Sequence, residues 1–287
     1  GSRKGEIMDY SLVLASQGIR HWMEFDGAEW RITTDEREAR LGQDILELYR
    51  NENRGFADPL PEKRDLDLLL SPLLFLAVPV ACYFLVELSP WANWWYSRGG
   101  ADAALILEGQ WWRCVTAATL HADEGHFLSN LVSGYFILNL LLHRMGVGTT
   151  MILATIGAAG ANAITALASG PRHISIGFSS VVFCALGLLA AVETLNLPRR
   201  GAKPAGPGIA GLRRLTPLIS AFFVAVLVGL GENADVKAHF YGFGFGAALG
   251  LASHFQPKEW SRPAWQAAMV LAAYGGYTMA WVLALRT

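Results

Sequence analysis

The chain has 287 residues, 53% of them hydrophobic and only 16% charged, against the roughly 25% charge usual in soluble domains, and this places it in a membrane. Its 23 Lys and Arg against 24 Asp and Glu give a formal net charge of -1; that removes the basicity a nucleic-acid binder uses against phosphates and excludes nucleic acid as a partner. Cys82, Cys114 and Cys184 are far apart and form no CxxC pair, so neither a zinc site nor a disulfide framework has its ligands, and no metal or cofactor is expected.

Gly1 and Ser2 read as a cloning remnant, and residues 3–50 hold no apolar run long enough for a cleavable signal peptide. Residues 1–52 read as a small α+β domain, with a short helix ending at Gly18, a strand His21–Phe25, a turn at Asp26-Gly27 and a strand Glu29–Thr33. Thr33 is expected to cap a second helix while Glu36 bonds back, with Ile45, Leu46 and Tyr49 as its buried stripe. A unit of roughly 45 residues has a thin core and leans on something else. Residues 53–65, with two prolines and a glycine, form a linker.

From Leu66 onward the chain turns to long apolar stretches, each near the ~20 residues that a helix needs to cross a bilayer. Seven are expected: Leu68–Leu88, Gly125–Leu142, Val147–Ser169, Ser179–Leu195, Leu215–Gly231, Ala238–Phe255 and Ala264–Leu285. Continuous apolarity without alternation selects helices over a barrel, so the fold class is an α-helical polytopic membrane protein. Lys63, Arg64, Arg144, Arg199, Arg200, Lys203, Arg213, Arg214, Lys258 and Arg262 fall on the side of the N-terminal domain, against Arg98, Arg113, Arg172, Lys237 and Arg286 opposite. Basic residues mark the cytoplasmic face, so the N-terminus is inside and, after seven crossings, the C-terminus is outside. The long first outer loop carries Trp91, Trp94, Trp95, Tyr96, Trp111 and Trp112, side chains that prefer the headgroup layer of the lipid bilayer.

Polar groups inside spans are costly, and three sets stand out. His126 and Asn130 are four apart and share a helix face in the stretch that begins at His121. Gly177-Phe178-Ser179-Ser180 opens the fourth span, where backbone N–H groups lack partners and the helix dipole favours negative charge. Ala238-His239 begins the sixth span, and Gly242 and Gly246 give it a small-xxx-small face. Each set alone has an ordinary reading: helix packing for the glycines, an N-cap for Ser179, an interfacial anchor for the His–Asn pair. Together they change meaning, because even-numbered spans all begin at the outer face, which puts His126, Asn130, Ser179 and His239 at similar depth. A serine, a possible base and a set of donors are the parts of an acyl-transfer site.

In order and spacing over residues 66–254, these motifs resemble the rhomboid family of intramembrane serine proteases. The family pattern is read here as His121, His126 with Asn130, Gly177 with Ser179, the Ala238-His239 pair with Gly242 and Gly246, and the Trp112-Arg113 pair of the first loop. The resemblance implies a rhomboid-like six-helix bundle over residues 66–255, a seventh C-terminal transmembrane helix over 256–287 and a small cytoplasmic α+β domain. It implies a dyad of nucleophile Ser179 and base His239, an oxyanion hole of His126, Asn130 and the Ser179 backbone N–H, and a location in a bacterial inner membrane. It also implies single-span transmembrane proteins as substrates, entering past the fifth span and the 232–237 loop. Two positions depart from the pattern: Ser180 replaces a common glycine beside the nucleophile, and Phe183 replaces a common tyrosine, keeping a ring for His239 and losing its hydroxyl.

Three other readings remain at this point. A catalytically silent relative that binds or escorts membrane proteins lacks the serine or the histidine, and both are present. A transporter calls for internal repeats and broken helices at mid-membrane, whereas here the polar groups cluster toward one face. A sortase-like relative acting on C-terminal anchors shares all of these residues.

Overall fold

The computed structural model describes residues 4–27, 29–53, 65–196, 207–229 and 235–287. Residues 54–64 of the expected linker, the basic positions Lys63, Arg64, Arg199, Arg200 and Lys203, and positions 232–234 of the expected cap loop lie outside them. The described residues divide into two compact units.

The first unit opens with α1 (Lys4–Ser16), which ends where Gly18 takes φ +74° and Ile19 N–H returns to the Leu14 carbonyl at 3.0 Å. A hairpin of β1 (His21–Phe25) and β2 (Trp30–Thr34) follows, in a register from His21 opposite Thr34 to Phe25 opposite Trp30. Asp26 fixes its turn by accepting from the Glu29 N–H at 2.8 Å. Thr33 does not cap the next helix. It pairs with Trp22 in the hairpin, so its backbone stays extended, and α2 begins later (Glu36–Asn53). Glu38, not Glu36, reaches back, accepting from the Arg20 N–H at 2.9 Å. Ile45, Leu46 and Tyr49 are half-buried, and the deepest positions are Ile7, Leu14 and Ile19, against which Gly42 packs.

In the second unit a helix occupies each of the seven apolar stretches. They are α3 (Asp65–Glu87), then, after three short helices, α7 (Glu124–Met145), α8 (Val147–Ser169), α9 (Ser179–Asn196), α10 (Pro207–Gly229), α11 (Val236–Ala252) and α12 (Pro263–Arg286). Among the described residues α7, α8 and α12 are long and apolar enough to cross a membrane, while α3, α9 and α10 carry shorter apolar runs. The expected aromatic loop is itself folded, into α4 (Ala92–Gly99), strand β3 (Ala101–Asp102), α5 (Ala103–Leu107) and α6 (Arg113–Thr116). These pieces are too short to be stable alone. Arg113, itself buried, holds them by donating to the carbonyls of Ser97 and Gly100 at 2.9 Å and to Gln110 Oε1 at 2.7 Å.

Helix α9 is the axis of this unit. Val181, Cys184, Ala185, Leu188 and Ala191 are fully buried on it, among α7, α8, α10 and α11. It meets α11 almost backbone to backbone: a Cβ on Gly246 would lie 1.9 Å from the Cys184 carbonyl oxygen, and one on Gly187 would lie 2.1 Å from the Phe243 carbonyl oxygen. Without a hydrophobic drive between helices in lipid, close packing of this kind supplies the association energy. The α7–α8 corner at Gly146 (φ +82°) is sealed by Gln266 of α12, whose Oε1 accepts from Gly148 N–H at 2.7 Å and whose Nε2 donates to the Met145 carbonyl at 3.2 Å. Arg144 and Glu193, near the C-terminal ends of α7 and α9, pair at 2.6 Å. The N-terminal ends of these two helices therefore share the opposite end of the bundle. A short strand β4 (Ile174–Ser175) leads toward α9 and pairs antiparallel with β3.

Candidate active site

Three helix N-termini meet at that end. Asp123 caps α7 by accepting from His126 N–H at 2.8 Å, which sets His126 in the first turn and Asn130 one turn further along the same face. Asp235 caps α11, accepting from Ala238 N–H at 3.1 Å, and thereby fixes the turn that carries His239. Ser179 opens α9 directly after Gly177.

Gly177 is required where it stands. Its φ of +130° is open mainly to glycine, and a Cβ there would lie 2.8 Å from His126 Nε2 and 3.4 Å from Ser179 Oγ. The missing side chain thus leaves an opening that His126 and Ser179 both face. The loop is held from below, with Gly177 N–H donating to the Ala117 carbonyl at 2.9 Å and Phe178 N–H donating to His121 Nε2 at 3.3 Å. Since His121 accepts through Nε2, its hydrogen sits on Nδ1, and that atom is buried without a partner among the described residues. In the connection before α7, burial, and secondarily the nearby His126, pull the His121 pKa down from 6.5 to about 3, against a small opposing pull from Asp123.

Ser179 and His239 are 8% and 7% exposed, which is deep for polar side chains but not sealed. One turn along α9 from Ser179, the Phe183 ring stacks flat on the His239 imidazole, with centroids 4.1 Å apart and planes 4° apart. Gly242 of α11 makes this approach possible, since a Cβ there would lie 3.0 Å from the Ser180 carbonyl oxygen. Asn130 is 5% exposed, and its Nδ2 is a buried donor without a partner among the described residues. A native fold rarely tolerates such an atom without a use for it. A small cleft lined by Phe183, Ala225, His239 and Phe240 runs between α10 and the histidine, with Phe222 of α10 packed on Phe240 and Phe243.

The residues singled out from the sequence separate into two groups. Ser179, His239, His126 and Asn130, with Gly177, Phe183 and Gly242, gather at this end of the bundle, while Gly246 lies two turns from His239 along α11, against the Cys184 backbone. Trp112 and Arg113 do not enter it; Arg113 braces the folded outer loop instead. The Ser180 hydroxyl turns back to the Gly177 carbonyl at 3.4 Å. The sequence reading missed His173 and Ser175, both of which contact Asp235. Asp235 had a visible signal, an aspartate three residues before Ala238 at the start of an apolar run; His173 had none. No group of three or more His, Cys, Asp or Glu able to hold a metal occurs among the described residues.

A family model described as Rhomboid domain matches residues 108–255. The chain is 26% identical to RHOMBOID-like protein 5 of Arabidopsis thaliana over 164 residues, covering 56% of this chain and 50% of that one. It is 27% identical to Rhomboid protease GluP of Bacillus subtilis over 126 residues, 43% of this chain and 24% of that one. RHOMBOID-like protein 1 of Arabidopsis thaliana is 27% identical over 161 residues, 56% and 39% of the two chains. The matches thus span half or less of the length of these curated relatives.

Proposed function

The chain belongs to the rhomboid family of polytopic helical membrane proteins, and from this we propose that it is an intramembrane serine protease that hydrolyses peptide bonds in or near transmembrane segments. The observation that supports the reading is the stacking of His239 on Phe183, which lies one turn along α9 from Ser179 at the start of that helix. His239 takes the Ser179 hydroxyl proton as the oxygen attacks the scissile carbonyl carbon. The negative charge formed on the carbonyl oxygen is met by the Ser179 N–H at the helix N-terminus, by His126 and by Asn130 Nδ2, a buried donor without a partner among the described residues. The protonated His239 then gives its proton to the departing amine, leaving an acyl-enzyme. A water deprotonated by the same imidazole adds to the ester carbonyl, and release of the carboxylate product restores Ser179.

The reading includes a topology. All seven long helices cross the bilayer, with residues 1–52 cytoplasmic, 53–65 as linker, 66–255 as the protease core and 256–287 as an added helix. The site then faces the outer side of a bacterial inner membrane, so water reaches it from that face. Single-span substrates enter laterally, past α10 and the cleft it forms with His239. A reporter active only in the cytoplasm is expected to work when inserted near Lys203 and to fail after Thr287; the reverse pattern overturns this orientation.

The test of the activity is labelling by a fluorophosphonate in lipid. Wild type and Ser180→Ala are expected to label, Ser179→Ala to fail, and His239→Ala to lose nearly all labelling. Labelling that survives Ser179→Ala and vanishes in Ser180→Ala overturns the choice of nucleophile. A folded wild type that neither labels nor cleaves any single-span substrate turns the reading to a binding or escort protein.

A further inference from the structure

We propose that His173 and Asp235 are positioning residues for the dyad, forming a clasp that fixes the loop bearing Ser179 against the helix bearing His239. The inference rests on the protease reading above.

The two halves of the dyad lie on separate stretches of chain, and Asp235 is where those stretches are tied. On one side, its Oδ1 caps α11 through Ala238 N–H, and its carbonyl accepts from the His239 N–H itself at 3.0 Å. On the other side, its Oδ2 accepts from His173 Nε2 at 2.9 Å, and the buried Ser175 lies two residues further along the same strand-forming segment. A carboxylate only accepts, so Nε2 carries the hydrogen in this bond. Burial alone raises the Asp235 pKa, but the polar surroundings supplied by Ser175, the Ala238 N–H and His173 outweigh it and hold the carboxyl below its ordinary value.

The loop end of the clasp is itself anchored. The His173 carbonyl accepts from Ala103 N–H at 2.9 Å, Ser175 pairs with Ala101 in the β3–β4 ladder, and Arg113 holds the Gly100 carbonyl next to that ladder. Ser179 is four positions on from Ser175, and His239 four positions on from Asp235. A shift at the clasp is therefore transmitted over about one turn of backbone to each reacting group. Misplacement by ~1 Å costs up to about 10²-fold in rate, and the clasp lies outside the opening at Gly177. Its loss should slow the chemistry without weakening substrate binding.

The experiment compares wild type, His173→Ala, His173→Gln, Asp235→Ser and the double variant His173→Ala/Asp235→Ser. Three quantities are read: the rate of fluorophosphonate acylation of Ser179, kcat and KM on a single-span substrate, and the melting temperature in detergent. Serine keeps the cap on Ala238 but is too short to reach His173. Glutamine restores an N–H donor at a reach similar to that of Nε2. The expected result is about a tenfold or greater loss of acylation rate and kcat in His173→Ala and Asp235→Ser, with KM within about twofold. His173→Gln should recover most of the rate, and the double variant should be no slower than the slower single. Wild-type acylation in His173→Ala overturns the inference, as does a loss that follows the melting temperature and is not rescued by glutamine. Additive losses in the double variant also overturn it. Failure of the wild type itself to label overturns the protease reading beneath it, a distinguishable outcome.

Discussion

The Phe183 ring lies face to face on the His239 imidazole, 4.1 Å between centroids and 4° from parallel. Both rings are buried, and Ala225 of α10 belongs to the same buried cluster as Phe183. The stack restricts the imidazole to one plane, so that its free movement is rotation within that plane. An aromatic pair of this kind contributes about 0.5–1.5 kcal/mol beyond its buried area. Phe183→Ala should lower kcat by roughly 10- to 100-fold through loss of orientation, while Phe183→Tyr retains the ring and stays near wild type. Equal rates in the alanine and tyrosine variants would show that the stack does not orient the base.

The glycines of α11 are not equivalent, and this gives an internal control. A Cβ on Gly246 would sit 1.9 Å from the Cys184 carbonyl oxygen, whereas one on Gly244 meets nothing within 4 Å. Backbone cannot move aside as a flexible side chain can, so Gly246→Ala must push α11 from α9 and carry His239 with it. A clear fall in melting temperature and loss of Ser179 labelling are expected for Gly246→Ala. Gly244→Ala should keep both properties. Identical behaviour of the two variants contradicts the close approach of α9 and α11.

The long helices were legible because each is a continuous apolar run, and the shared helix faces of His126 with Asn130 and of Gly242 with Gly246 because residues four apart lie on one side of a helix. What escaped was set by long-range contacts. Arg113 ties the carbonyls of Ser97 and Gly100, at the end of α4, to the start of α6, 13 to 16 residues along the chain, and no local pattern announces that. The capping role expected of Thr33 lost to strand pairing with Trp22, since a residue held in a ladder cannot also begin a helix. His173 lies 62 residues from Asp235 in the chain, on an irregular segment without periodicity, so their bond had no signature in the sequence.

His121 makes stability depend on pH in a definite direction. Burial, and then the nearby His126, hold its folded pKa at about 3 against an ordinary 6.5. Between those values the unfolded chain binds a proton that the folded protein does not, so stability rises with pH across this window. The contribution is fully present above pH 6.5 and is lost as pH falls toward 3. In detergent, the wild type should lose more melting temperature between pH 7 and pH 4 than His121→Gln, which cannot be protonated there. Carboxylates elsewhere affect both proteins alike, so parallel curves for the two would contradict the buried, neutral state of His121.

Asn130 offers a separation of catalytic from structural roles. Its Nδ2 is buried without a partner among the described residues, an arrangement that costs about 1–3 kcal/mol in the resting protein. If the amide is kept for the charge that develops on the substrate carbonyl, its removal weakens the transition state and spares the fold. Loss of one oxyanion donor typically costs ~2.7–4 kcal/mol, which is about 10² to 10³ in kcat. Asn130→Ala is therefore expected to lower kcat by about 10²-fold, with KM little changed and a melting temperature that does not fall. His126 faces the same opening at Gly177, so the loss stays at the lower end if its Nε2 shifts to take up the charge; His126→Ala/Asn130→Ala should then fall further than either single variant. A variant that binds substrate as poorly as it turns it over, or one that melts well below wild type, identifies Asn130 as a packing contact and removes it from the oxyanion hole.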